Sequence, residues 1–102
     1  MYHVSPGAHR GSILYLGLDF MHGQGYTNSG PTPGNYLFGT RESAIARALD
    51  DFGPGADVFT VDVTDLTVGD DPRVPDGFLI RCPVGPERVR LLGYVRSRRA
   101  GA

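Results

Sequence analysis

Residues 35–53 join a short apolar run to an alanine-rich, charged one: Asn35-Tyr36-Leu37-Phe38-Gly39-Thr40-Arg41-Glu42-Ser43-Ala44-Ile45-Ala46-Arg47-Ala48-Leu49-Asp50-Asp51-Phe52-Gly53. The first four residues are typical of a short buried strand. The apolar residues that follow recur at helical spacing and predict one core-facing helix surface: Ile45, Ala48, Leu49 and Phe52. The stretch therefore predicts a buried strand that leads directly into an amphipathic helix.

Both ends of this helix carry the residues that helix termini favour. Thr40 stands at the N-cap position, and Glu42 lies in the first turn, where a negative charge favours the helix dipole. Gly53-Pro54-Gly55 predicts a sharp end, because glycine commonly terminates helices and proline cannot continue them.

A second strand and a second helix are predicted before this stretch. Tyr2-His3-Val4 is β-prone and is predicted as the first strand. Ser5-Pro6 then predicts the start of a helix, with Ser5 as the cap. The predicted core-facing residues of this helix are Ile13, Leu14 and Leu16. Gly17 is predicted to end it, and Leu18 and Phe20 to lie under the core.

The second half of the chain is rich in β-prone residues. Strands are predicted at 58–63, with Phe59, Val61 and Val63 on one face, and at 78–82 and 89–95. Residues 64–77 are predicted to be a polar connection. The order of elements favours an α+β fold with a small mixed or antiparallel sheet and two short helices. One domain is expected over residues 1–95, with a flexible tail at 96–102.

Composition excludes several function classes. The net charge of −1 argues against broad electrostatic binding of nucleic acid. The single Cys82 cannot form an internal disulfide, and no apolar run reaches the ~20 residues of a membrane helix. The N-terminus lacks the pattern of a signal peptide, so a cytoplasmic location without membrane contact is expected.

Common catalytic and metal motifs are also missing from the sequence. A phosphate-binding loop needs a lysine, and this sequence contains none. The nucleophile motif Gly-x-Ser-x-Gly does not occur either. His3, His9 and His22 lack zinc-ligand spacing, so no metal site is expected. Cys82 could be a thiol nucleophile, but its position in the apolar run 78–82 predicts a buried, inert side chain.

Residues 22–34 contain four glycines and two prolines and no aliphatic side chain. Such a backbone can approach a ligand closely, and long loops in small domains are often lids or binding loops. A plain surface connection is the alternative interpretation.

The order of these motifs resembles the ADP-ribosyltransferase fold, which includes poly(ADP-ribose) polymerases, rifamycin ADP-ribosyltransferases and tRNA 2′-phosphotransferases. That family typically opens with a strand carrying His-Gly-Ser/Thr, followed by a helix of the form Ser-Ile-Leu-x-x-Gly-Leu. A donor loop, a Tyr-containing strand and an Ala-rich helix then follow. The matching stretches here are Tyr2-His3-Val4-Ser5, Ser12-Ile13-Leu14-Tyr15-Leu16-Gly17-Leu18 and Gly34-Asn35-Tyr36-Leu37-Phe38-Gly39-Thr40.

This resemblance implies a site for NAD⁺ as co-substrate. In it, His3 would bind the ribose next to nicotinamide, and the Val4 backbone would hold the carboxamide. Ser5 would steady His3 or the ribose, and Tyr36 would stack on the nicotinamide ring. The resemblance further implies NAD⁺ contacts from Arg10, Tyr26 and Ser43, with residues 19–34 covering the donor. The protein would then orient NAD⁺ for transfer of ADP-ribose.

The chain departs from the family pattern at two positions. Val4 replaces the glycine of the first motif, and Gly77 stands where the family commonly has a catalytic Glu. Asp76 is the nearest carboxylate and the candidate to replace it, although Asp-Gly is also a common turn pair.

Three functions therefore remain open. The first is an NAD⁺-dependent ADP-ribosyltransferase that acts on an unidentified protein, nucleic acid or small molecule. The second is a non-catalytic nucleotide- or protein-binding module on the same fold. The third is a compact structural or phage-type accessory protein without a ligand, which would interact through the loop around Tyr26.

Overall fold

The computed structural model describes residues 1–18 and 34–95. Within these residues the helices are α1 (Arg10–Leu16) and α2 (Arg41–Phe52). The strands are β1 (Tyr2–Ser5), β2 (Asn35–Phe38), β3 (Asp57–Val61), β4 (Gly69–Asp70), β5 (Gly77–Ile80) and β6 (Val89–Tyr94). Short 3₁₀ turns at Gly7–His9 and Pro86–Arg88 precede α1 and β6.

These strands form one antiparallel sheet in the order β4-β5-β2-β1-β3-β6. The first strand lies in the middle, with Tyr2 opposite Phe38 of β2 and His3 opposite Phe59 of β3. Every pairing between neighbouring strands is antiparallel. The predicted α+β fold with a small antiparallel sheet is confirmed.

Each face of the sheet carries its own apolar cluster. The face covered by α2, here the α2 face, has these buried residues: Val4, Phe38, Ala44, Ala48, Ala56, Val58 and Val95. The opposite face, here the α1 face, has these: Ile13, Leu18, Leu37, Phe59, Val61, Ile80, Val84 and Val89. Because side chains alternate along a strand, neighbouring residues such as His3 and Val4 point to opposite faces.

The predictions for α2 are confirmed. The Thr40 side-chain oxygen accepts a hydrogen bond from the Ser43 N–H at 3.2 Å, as an N-cap does. Gly53 ends the helix with a φ of 76°, in the region that favours glycine. The predicted apolar surface of α2 packs on the sheet.

The predicted start of the first helix is wrong. Ser5 is the last residue of β1, where it pairs with Asp57, and its hydroxyl donates to the Pro6 carbonyl at 3.2 Å. Pro6 has an extended backbone, with ψ at 145°, so α1 begins only at Arg10. Pairing with β3 therefore extends the strand through the residue predicted to cap a helix. The predicted end is confirmed, since Gly17 follows α1 with a φ of 81°.

The predicted apolar stripe of α1 is only partly present. Ile13 is buried, but Leu14 and Leu16 are exposed. The helix has seven residues, and only one of its large apolar side chains reaches the core. Leu18 is buried as predicted and bridges to Val84, whereas Phe20 lies outside the described residues.

The later strands differ from their predicted bounds. The connection predicted at 64–77 contains β4, whose residue Gly69 pairs with Leu79. The strand predicted at 78–82 ends at Ile80, so Cys82 lies beyond it and is exposed, which contradicts the predicted burial. Phe59 and Val61 share the α1 face as predicted, and Val63 packs against them.

The predicted tail at 96–102 lies outside the described residues. Among the residues that the structure does describe, no helix has the length and apolar character needed to cross a membrane.

Candidate functional site

His3 lies on β1, on the α1 face, with only 9% of its surface exposed. Its Nδ1 is 3.0 Å from the carbonyl oxygen of Tyr36 on the neighbouring strand. Its ring lies 6.4 Å from the Phe59 ring, centroid to centroid. The imidazole is thus fixed between a backbone carbonyl and an aromatic core residue.

This environment determines the charge and the tautomer of His3. Burial lowers the pKa of the imidazole from 6.5 to about 4, although the hydrogen bond to Tyr36 partly opposes that change. His3 is therefore neutral at pH 7. Since a carbonyl only accepts hydrogen bonds, Nδ1 carries the proton and Nε2 is left with a lone pair. Within residues 1–18 and 34–95, Nε2 has no hydrogen-bond partner.

A buried acceptor of this kind requires a donor. Burying a polar atom without a hydrogen bond costs free energy, so such atoms usually mark a water or ligand position or store strain. Because the imidazole is neutral, it suits a hydroxyl or N–H donor rather than an anion. This is the chemical property that a ribose hydroxyl would need.

Ser5 lies on the same face of β1 as His3, because the two residues are two positions apart. Its side chain is fully buried, and its hydroxyl donates to the Pro6 carbonyl. The structure therefore places Ser5 next to His3 on this face of the strand, with its hydroxyl engaged by the Pro6 carbonyl.

Tyr36 and Val4 point away from His3. Tyr36 alternates with Leu37, which is buried on the α1 face, and shares the α2 face with Phe38. Val4 also lies on the α2 face. The His3 imidazole therefore contacts the backbone of Tyr36 and not its ring, and the structure does not bring these two side chains to one surface.

Arg10 forms an ion pair that the sequence does not predict. Its Nε and Nη2 donate to the two carboxylate oxygens of Asp57 at 2.9 and 2.7 Å. The Asp57 side chain is completely buried, whereas the Arg10 side chain is 43% exposed. Hydrogen bonding and attraction to Asp57 raise the pKa of Arg10. The guanidinium predicted to bind NAD⁺ thus has a structural partner in β3.

Asp76 is hydrogen-bonded to Thr40 at the start of α2. Its Oδ2 accepts hydrogen bonds from the Thr40 N–H and the Thr40 hydroxyl, both at 2.8 Å. These bonds, the side-chain one first, lower the pKa of the Asp76 carboxyl. The Ser43 hydroxyl lies 3.0 Å from that of Thr40 and belongs to the same network. Asp76 and Ser43 are therefore brought together around Thr40, and no hydrogen bond between the described residues links either of them to His3.

Loss of this network is expected to destabilise α2. We expect Thr40→Ala to lower the melting temperature by about 5 °C, because it removes the N-cap and the hydroxyl bond to Asp76, while the bond from the Thr40 N–H remains. Asp76→Asn is expected to be milder than Asp76→Ala, since Asn keeps an acceptor and tolerates the backbone φ of 58° at this position. Thermal unfolding followed by circular dichroism measures all three variants. Equal melting temperatures for the two Asp76 variants would contradict a capping role for the side chain.

Asn35 also has a role that the sequence does not predict. Its side-chain amide donates to the carbonyls of Leu18, at 3.2 Å, and Cys82, at 2.9 Å. It lies on the α1 face and is buried. The sequence offers little signal for it, because an Asn before an apolar run also suits a loop end.

Cys82 belongs to a separate surface groove of about 510 Å³ beside β4 and β5, which Leu66, Leu79 and Arg81 also line. The predicted NAD⁺ contact Tyr26 and the loop 19–33 lie outside the described residues. Within residues 1–18 and 34–95, no group of three His, Cys, Asp or Glu side chains is placed to hold a metal ion.

Comparisons with protein families, with curated proteins and with solved structures find no match to this chain.

Proposed function

We propose that this chain binds NAD⁺ at His3 and transfers ADP-ribose to an acceptor with release of nicotinamide. The observation that carries the proposal is the buried, neutral His3, whose Nε2 lone pair has no partner among the described residues. It lies on the first strand, in the position that the resemblance to ADP-ribosyltransferases implies.

The chemical role of His3 follows from its fixed tautomer. With Nδ1–H donated to Tyr36, the ring cannot rotate without breaking that bond, so Nε2 keeps one direction. It would accept a hydrogen bond from a ribose hydroxyl and hold the sugar in one orientation. Such positioning lowers the barrier of a transfer reaction by paying the cost of orientation at binding.

The transfer itself requires little covalent chemistry from the protein. The bond between the ribose and nicotinamide breaks, its electron pair leaves with nicotinamide, and an acceptor atom bonds to the ribose carbon as its proton passes to solvent. The chain's contribution is therefore orientation by His3, with Ser5 beside it, rather than a nucleophile of its own.

A binding module without transferase activity is the second candidate. It is favoured by Asp76, whose carboxylate is engaged by Thr40 instead of lying at His3. Tyr36 favours it as well, because its ring lies on the other face of the sheet. NAD⁺ binding without turnover would support this candidate.

The proposal predicts a specific pattern of ligand stabilisation. NAD⁺ at about 1 mM is expected to raise the melting temperature by about 5 °C if its Kd is near 0.1 mM. His3→Ala should abolish this shift, because the buried acceptor proposed to bind the ribose is lost. His9→Ala is the matched control and should keep it, since His9 lies in the 3₁₀ turn before α1.

Nicotinamide release, measured by chromatography with the same variants, separates the two candidates. Release by the wild type that His3→Ala abolishes supports the transferase. A thermal shift without release supports the binding module. A wild type that neither NAD⁺ nor ADP-ribose stabilises at millimolar concentration contradicts both.

A further inference from the structure

The large apolar side chains that remain exposed are concentrated on two elements. Among the described residues, every exposed large hydrophobic side chain belongs to α1 or β6: Leu14, Tyr15, Leu16, Leu91, Leu92 and Tyr94. The two elements also touch each other. Monomeric proteins rarely expose apolar patches beyond a few hundred Å², and larger ones mark interaction sites.

The same surface includes an edge of the sheet. β6 is the outermost strand on its side and, with six residues, the longest strand described. Edge strands usually carry lysine, proline or several charges that prevent pairing with another chain. β6 contains no lysine or proline, and Arg90 is its only charged residue. The pairing of β6 with β3 is interrupted between Leu91 and Gly93, opposite Phe59 and Val58, so its regular edge is the first part of the strand, from Val89 to Leu91.

We propose that a second copy of this chain binds this surface, with β6 antiparallel to its counterpart around a twofold axis. Identical strands meet antiparallel in such a pair, so one surface complements itself. The axis is perpendicular to the sheet, so both α1 helices lie on the same side of the joined sheet.

The position of α1 completes the interface. It lies on the α1 face and contacts β6, so the twofold operation brings the two α1 helices towards each other across the axis. Tyr15, 81% exposed, is the largest apolar contribution that α1 can make. Burying the six exposed side chains in both copies would remove on the order of 1,200 Å² from solvent, the lower end for specific interfaces.

A second copy fits this surface better than an unrelated partner because the edge and the apolar side chains together form one self-complementary unit. The inference does not rest on the proposed NAD⁺ site, since His3 lies in β1, two strands from the edge.

Sedimentation equilibrium between about 1 and 100 µM tests the proposal. The wild type should form dimers within this range. Tyr15→Glu should weaken the dimer at least ~30-fold, because it places a charge from each copy at the interface. Leu91→Arg should act in the same direction. Ala46→Glu, which adds the same charge to the exposed side of α2, is the control and should leave the dimer intact.

Three results would overturn the proposal. They are a wild type that stays monomeric to about 100 µM, a Tyr15→Glu variant that dimerises as well as the wild type, and assemblies that grow beyond dimers. Folding does not confound the test, because Tyr15 is exposed and a circular dichroism spectrum verifies each variant.

Discussion

Arg10→Ala should lower the melting temperature by roughly 15 °C at pH 7. The reason is that the two partners of the ion pair differ in burial. Asp57 is completely buried in β3. Within the described residues, its carboxylate oxygens accept side-chain hydrogen bonds from Arg10 alone. Without Arg10 a buried charge is left uncompensated, which is more costly than the loss of an exposed pair.

Asp57→Asn tests that explanation. It removes the buried charge and leaves the partly exposed Arg10 to solvent, so we expect less than half of the shift seen for Arg10→Ala. The double variant should melt above Arg10→Ala alone, because the charge that lacked a partner is gone. If Arg10→Ala melted within about 3 °C of the wild type, the ion pair would not stabilise the fold to the extent that the burial of Asp57 requires.

Acidification should weaken the fold through His3. Between pH 7 and pH 4 we expect the free energy of unfolding to fall by about 3 kcal/mol from this residue. The native imidazole has a pKa of about 4, against 6.5 for the unfolded chain. In this range the unfolded chain therefore binds a proton that the native protein does not. The stability that His3 contributes is complete above pH 6.5 and is lost as the pH falls through 4.

Urea unfolding at pH 7, 6, 5 and 4 measures this effect, with His3→Gln as the control. The variant should show a flatter pH dependence, because it has no proton to gain at this position. Asp62 and Asp76 do not interfere, since their pKa values are lowered below 3.8 and their contributions disappear at more acidic pH. Parallel curves for wild type and His3→Gln would show that the native imidazole titrates normally.

The parts of the fold with local signals could be predicted from the sequence. α2 carries its apolar surface, its Thr40 cap and its terminating glycine within fifteen consecutive residues, and all three agree. Each of these signals depends only on residues that are close in the sequence, so α2 could be predicted without knowing the sheet. The α+β class followed from the order of such elements.

Features that depend on distant contacts could not be predicted in this way. Ser5-Pro6 is a good helix start locally, but pairing of Ser5 with Asp57 keeps it in the sheet. The residues of the Arg10–Asp57 pair are 47 positions apart, and nothing near Asp57 indicates its partner. β4 has two residues, too few to produce a pattern.

In the candidate site, too, local features could be predicted and features that depend on distant contacts could not. The position of His3 on the first strand was predicted, and the neutral state of its ring follows from burial that only the sheet provides. Asp76 was proposed as the carboxylate next to Gly77. The sequence does not predict that its side chain is hydrogen-bonded to Thr40, because the two residues are far apart along the chain. The face on which Tyr36 lies depends on strand register, which a single sequence does not determine.

The amide of Asn35 has a consequence for how this chain can vary. By binding the carbonyls of Leu18 and Cys82, it holds together the two points between which residues 19–33 leave and rejoin the fold. Together with the backbone bridge between Leu18 and Val84, this side chain fixes the two residues that flank the segment. The length of the segment matters less, since doubling it would add only about 0.6 kcal/mol to the cost of closing it. We therefore expect insertions or deletions in residues 19–33 to leave the sheet as it is.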